Sequence, residues 1–70
     1  MGYEIEVKLT KLLIDHKVTY VELQKKTGLS LRTISELANN KMERIPKKAI
    51  SKIAEALEIE DIREIIDIKK

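Results

Sequence analysis

A chain of 70 residues that is 43% apolar and 37% charged, with a net charge of +2, reads as one globular domain spanning residues 1–70. It has no cysteine, and its longest unbroken apolar run, Leu12-Leu13-Ile14, is far below the ~18 residues of a membrane span. Disulfide scaffolds, thiolate metal sites and membrane proteins are thereby excluded, and without a basic segment leading into an apolar one the expected compartment is cytoplasmic. The charge is uneven: residues 19–48 hold seven basic groups against three acidic ones, whereas residues 49–70 hold four against six. A basic centre in a near-neutral chain suggests a localised anion-binding face, set against the plainer reading of a solvated charged surface.

Residues 3–8 (Tyr3-Glu4-Ile5-Glu6-Val7-Lys8) alternate as a strand would, and Ile66-Asp67-Ile68 does so briefly at the far end. A small terminal ribbon is one reading. An extension of the first helix is preferred, because Ile5 stands four residues before Leu9. Ile5, Leu9, Leu12 and Leu13 then mark one helical stripe. Next, Thr19 and Glu22 are spaced as a capping box, with Val18 and Leu23 as its hydrophobic staple. Gly28 is placed to close this short helix in a left-handed turn. Ser30 caps the following helix, whose inward positions are Ile34, Leu37 and Ala38, and Asn39-Asn40 ends it. Two capped helices joined by Thr27-Gly28-Leu29-Ser30 describe a helix-turn-helix over about residues 19–39. Pro46 suits the first turn of a fourth helix running to about Leu57, with Ile50, Ile53, Ala54 and Leu57 as its stripe. A fifth, shorter helix is expected from Asp61 to Ile66. The predicted fold is therefore all-α, a compact bundle of five helices.

These residues together resemble the DNA-binding domain of the Cro/CI-type phage repressors, the Xre family, whose lambda-repressor-like fold has this bundle. The resemblance rests on Leu9-x-x-Leu12, Val18-Thr19, Leu23, Thr27-Gly28-Leu29-Ser30, Thr33-Ile34-Ser35, Leu37, Asn39-Asn40-Lys41 and Ile50-x-x-Ile53-Ala54-x-x-Leu57, and covers roughly residues 5–66. It implies a sequence-specific regulator of double-stranded DNA, repressor-like, that lays the helix over residues 31–39 in the major groove. Ser30, Leu31, Arg32, Thr33, Ser35 and Glu36 then fall at base-facing positions, with the Arg32 fork matched to guanine O6 and N7. Tyr20, Asn39, Asn40, Lys41, Arg44, Lys47 and Lys48 fall at phosphate-facing ones. The chain departs from the family pattern at Gln24, where a small residue is usual, at Tyr20, where Gln is usual, and at Leu31, where polar readers are common.

Ile59, Ile62, Ile65, Ile66 and Ile68 are more apolar groups than a short terminal helix needs for one side. Some close the core, and the rest are read as the seam of a homodimer that sets two recognition helices ~34 Å apart. The rival reading is a protein-interaction module, an antitoxin or anti-repressor that uses the same fold against a protein partner. An enzyme is not expected. His16 stands alone, and Glu58, Glu60, Asp61 and Glu64 lack the loop pattern of a cation site. No cofactor, metal or small-molecule substrate is implied.

Overall fold

A computed structural model describes residues 2–69. Four α-helices form the body: α1 (Leu9–His16), α2 (Tyr20–Thr27), α3 (Leu31–Ala38) and α4 (Lys47–Ala56). Two short strands, β1 (Glu4–Val7) and β2 (Ile66–Lys69), bring the two ends of the chain together as an antiparallel ribbon.

The signals encoded within a few residues act as the sequence predicts. The Thr19 side chain accepts from the Glu22 N–H at 3.1 Å, and the Glu22 carboxylate accepts from the Thr19 N–H at 3.0 Å, completing the capping box of α2. Gly28 ends α2 at φ 77°, a conformation that costs an L side chain about 1–2 kcal/mol. Asn40 turns the chain out of α3 at φ 56°, also in the left-handed region, where Asn is tolerated. Pro46 stands one residue earlier than expected, in extended conformation at the N-cap of α4.

The all-α expectation is corrected at both ends. Residues 4–7 do not extend α1, because Ile5 pairs across the ribbon with Ile68 instead of stacking on Leu9. The Lys8 N–H donates to the Ile65 carbonyl at 2.6 Å and ties the ribbon to the body. β-branched residues at Ile5, Val7, Ile66 and Ile68 suit a pleated ladder better than a helix end. The fifth helix shrinks to a single 3-10 turn over Ile62–Glu64, after which the chain enters β2. Four helices and a ribbon thus replace five helices.

The core gathers Val7 from β1, Leu9, Leu12 and Leu13 from α1, Leu23 from α2, and Ile34, Leu37 and Ala38 from α3. Ala49, Ile50 and Ile53 of α4, with Leu57 and Ile65, close it. Burying one such Leu or Ile stabilises by about 1.5–3 kcal/mol.

The 3-10 turn is capped by charge. The Arg63 guanidinium donates to both Asp61 oxygens, the shortest contact being 2.8 Å, and the Arg63 N–H donates to Oδ1 at 2.9 Å. The guanidinium first and this backbone bond second hold the Asp61 carboxyl down to about 2, below its ordinary 3.8. The Thr19 backbone and hydroxyl likewise lower Glu22. Carboxyls depressed in the fold stabilise it above their ordinary values and lose that contribution as pH falls through the depressed ones. Urea midpoints of wild type and Asp61→Asn are therefore expected to differ at neutral pH and converge between about pH 4 and pH 2. A gap that persists unchanged at pH 2 would contradict this account.

Candidate nucleic-acid interface

The turn between α2 and α3 is held from inside. Thr27 is buried; its hydroxyl donates to the Leu23 carbonyl at 2.7 Å and accepts from the Leu29 N–H at 3.2 Å. With the Gly28 N–H on the Gln24 carbonyl at 2.7 Å, the angle between the two helices is set by hydrogen bonds as well as by packing. Gln24 is accommodated half-buried on α2, without breaking the helix.

Ser30 starts α3. Its hydroxyl accepts from the Thr33 N–H at 3.1 Å and donates to the Thr33 hydroxyl at 2.9 Å. Ile34 and Leu37 point into the core, which turns the opposite side of α3 to solvent. On that side, Arg32, Ser35, Glu36 and Asn39 stand at i, i+3, i+4 and i+7, a single stripe of polar groups. The Arg32 side chain is 87% exposed and its Nε lies 3.7 Å from Glu36 Oε2, one helical turn on. A pair this exposed contributes little to stability and restrains the guanidinium only weakly. Leu31 is an exposed apolar residue at the start of the helix, while Thr33 is half-buried beside Ser30.

The residues assigned to phosphate contact are not equivalent. Lys41, Arg44, Lys47 and Lys48 are all exposed, in the loop after α3 and the first turn of α4. Tyr20, at the first position of α2, is half-buried against the core. Asn39 donates through its amide to the Ser35 carbonyl at 2.9 Å and to the Ser35 hydroxyl at 3.3 Å, so it is coupled to the outward stripe. The spacing from Arg32 would have placed it there.

Asn40 has a task that the sequence did not disclose. Its Oδ1 accepts from the Val7 N–H at 2.7 Å and its Nδ2 donates to the Val7 carbonyl at 3.1 Å. The carboxamide acts as one more residue of a strand and clamps β1 to the end of α3. No local signal could have revealed this, because the partners lie 33 positions apart.

The five isoleucines assigned to a dimer seam separate cleanly. Ile65 is 1% exposed and belongs to the core, which leaves it unavailable to such a seam. Ile59 and Ile66 are half-buried, and Ile62 and Ile68 are exposed. Ile59, Ile62 and Ile66 line an apolar groove of about 450 Å³ together with Ile45, Ile50 and Ala54. Among the described residues, no cluster of three or more His, Cys, Asp or Glu is arranged to hold a metal ion. Nor is any helix among them long and apolar enough to cross a membrane.

A family model of Cro/C1-type helix-turn-helix DNA-binding domains matches residues 8–70. No curated protein and no solved structure gives a match.

Proposed function

The chain belongs to the Cro/C1-type helix-turn-helix DNA-binding family, and from that premise we propose that it is a sequence-specific, repressor-like regulator that occupies an operator as a homodimer. The observation that carries this reading is the outward stripe Arg32–Ser35–Glu36–Asn39 on a helix whose other side is fixed in the core. In this reading α3 enters the major groove, and Ser30, Leu31, Arg32, Thr33, Ser35 and Glu36 meet base edges at the start and outward side of the helix. Tyr20, Asn39, Lys41, Arg44, Lys47 and Lys48 flank them on the phosphates, where they set register without reading sequence. Asn40, already bonded to Val7, supports this surface through the fold. Such a regulator works where the DNA is, in the cytoplasm.

Selection from random duplexes across a salt series tests this directly. The expected product is a roughly palindromic motif. With roughly four phosphate contacts per subunit, the logarithm of affinity should fall against the logarithm of salt with a slope near −7. Replacing Lys48 by Ala in both subunits should make that slope shallower by about 2. Weak retention that is blind to sequence would instead favour the rival, a module for a protein partner. The observation on that rival's side is the apolar groove lined by Ile59, Ile62 and Ile66.

A further inference from the structure

The apolar groove is walled on one side by α4 and on the other by the segment that follows it. From α4, Lys47, Ile50, Ser51 and Ala54 face it at i, i+3, i+4 and i+7, a stripe about 10 Å long. Ile59, Ile62 and Ile66 line the opposite wall. The Ile59 N–H donates to the Ala54 carbonyl at 2.8 Å, which folds that wall back against the end of α4. Both walls are largely aliphatic, and the charges stand at the two ends, Lys47 at the start of α4 and Glu60 beyond its last turn. Both are exposed, and among the described residues neither is ion-paired. Ile62 on the rim is 61% exposed. An apolar surface rimmed by polar groups marks a site of recognition.

We infer that this groove takes one amphipathic helix of a protein partner, about two to three turns long, with an acidic residue at its Lys47 end and a basic residue at its Glu60 end. Opposite charges at the two ends select an occupant that is itself charged at both ends. An aliphatic acid would meet Lys47 alone. An extended peptide would turn backbone N–H and C=O groups onto isoleucine side chains, where nothing receives them, whereas a helix satisfies its own. A helix with apolar residues at i, i+3, i+4 and i+7 presents the matching ridge. A second copy has no such ridge to offer. Among the described residues α1, α2 and α3 each expose a single large apolar residue, Ile14, Val21 and Leu31, and α4 exposes none. Two such grooves face to face would enclose space instead of filling it, and the lining would forfeit contacts. Lys47 also belongs to the residues proposed to hold phosphate. An occupied groove therefore removes one phosphate contact per subunit, and the partner acts as a regulator of duplex binding. Docking itself stands apart from the DNA reading, while its effect on DNA rests on it.

Fluorescence anisotropy of a labelled synthetic helix of about 14 residues, titrated with the full chain without DNA, tests the docking. Its Leu residues stand at i, i+3, i+4 and i+7, with Glu in the first turn, Lys in the last, and Ala and Gln elsewhere. Wild type is expected to bind it saturably, with a dissociation constant on the order of 10 µM. Ile62→Lys sets an ammonium group on the apolar wall and should weaken binding by roughly ten-fold or more. Ile14→Lys, at a position 70% exposed outside the groove, should leave binding unchanged. Lys47→Glu should cost roughly five- to ten-fold, and a second peptide with Lys at both ends should recover the loss. Urea midpoints of these variants should stay close to wild type, as at other exposed positions. With the first peptide saturating, the slope of log affinity for duplex against log salt should become shallower by about 2. The absence of saturable binding overturns the docking, and so does binding that survives Ile62→Lys or ignores Lys47→Glu. A dimer in sedimentation equilibrium that falls to 8.1 kDa in Ile62→Lys, with no peptide bound, gives the groove to a second copy instead. Decanoate that displaces the peptide at equal concentration gives it to an aliphatic acid. An unchanged salt slope with peptide bound strikes the competition for Lys47. Peptide binding that obeys both substitutions supports the docking even where duplex DNA is not retained, a result that would count against the DNA reading only.

Discussion

Replacing Arg32 with alanine is expected to lower affinity for the selected operator by between roughly 30-fold and roughly twenty-thousand-fold and to erase preference at one position of each half-site. A bidentate guanidinium–guanine contact discriminates by about 1–3 kcal/mol, and the proposed homodimer would make it twice, so about 2–6 kcal/mol is at stake. One competing effect is too small to reverse the sign, and a second, acting in the same direction, has a different signature. The Arg32–Glu36 ion pair, with Arg32 87% exposed, contributes well under ~1 kcal/mol, so losing it in the free protein offsets little. Loss of one phosphate-attracting charge would weaken all duplexes alike and leave the selected motif unchanged. Arg32→Lys separates these terms, because it keeps the charge and discards the planar fork. It should retain the salt slope of wild type while losing the preference. Thermal and urea midpoints of all three proteins should agree within about 0.5 kcal/mol, as for other exposed substitutions. A repeat of the random-duplex selection with Arg32→Ala that returned the wild-type motif would remove Arg32 from the reading set.

The helix-turn-helix was legible because its determinants are local. Thr19 and Glu22 cap α2 within four residues, Gly28 turns, and Ser30 caps α3. Each of these acts through a backbone bond that closes over three or four positions. The outward stripe then follows from the period of the helix and the burial of Ile34 and Leu37. The ribbon was legible only as an alternation, because its meaning depends on a partner at the other end of the chain. Ile5 has a plausible neighbour four residues away in Leu9, and its actual one is Ile68. Four-residue strands carry too little pattern to outweigh an adjacent helical stripe. The Asn40 clamp is hidden for the same reason, since an Asn at a helix end already has a sufficient local explanation.

The isoleucines after residue 58 make the largest expected difference in stability, and they divide over a three-residue interval. Ile65→Ala is expected to cost about 2–5 kcal/mol, the usual range for emptying a fully buried aliphatic site. A domain of this size rarely draws more than about 3–5 kcal/mol from its own core, so this one change should leave much of the chain unfolded at room temperature. Ile62→Ala, at a position 61% exposed on the rim of the groove, should stay within about 0.5 kcal/mol. The contrast comes from the 3-10 turn over Ile62–Glu64, which leaves Ile62 in solvent and returns Ile65 to the core. Ile65 also accepts the Lys8 N–H at 2.6 Å, so its side chain and carbonyl anchor the same junction between ribbon and body. A cavity there loosens β1, and with it the Asn40 clamp on the end of α3. Loss of duplex binding in Ile65→Ala should therefore track loss of helical signal in far-ultraviolet circular dichroism, with no separate decline in affinity of the folded fraction. Equal urea midpoints for Ile65→Ala and Ile62→Ala would show that the C-terminal segment is not part of the core at all.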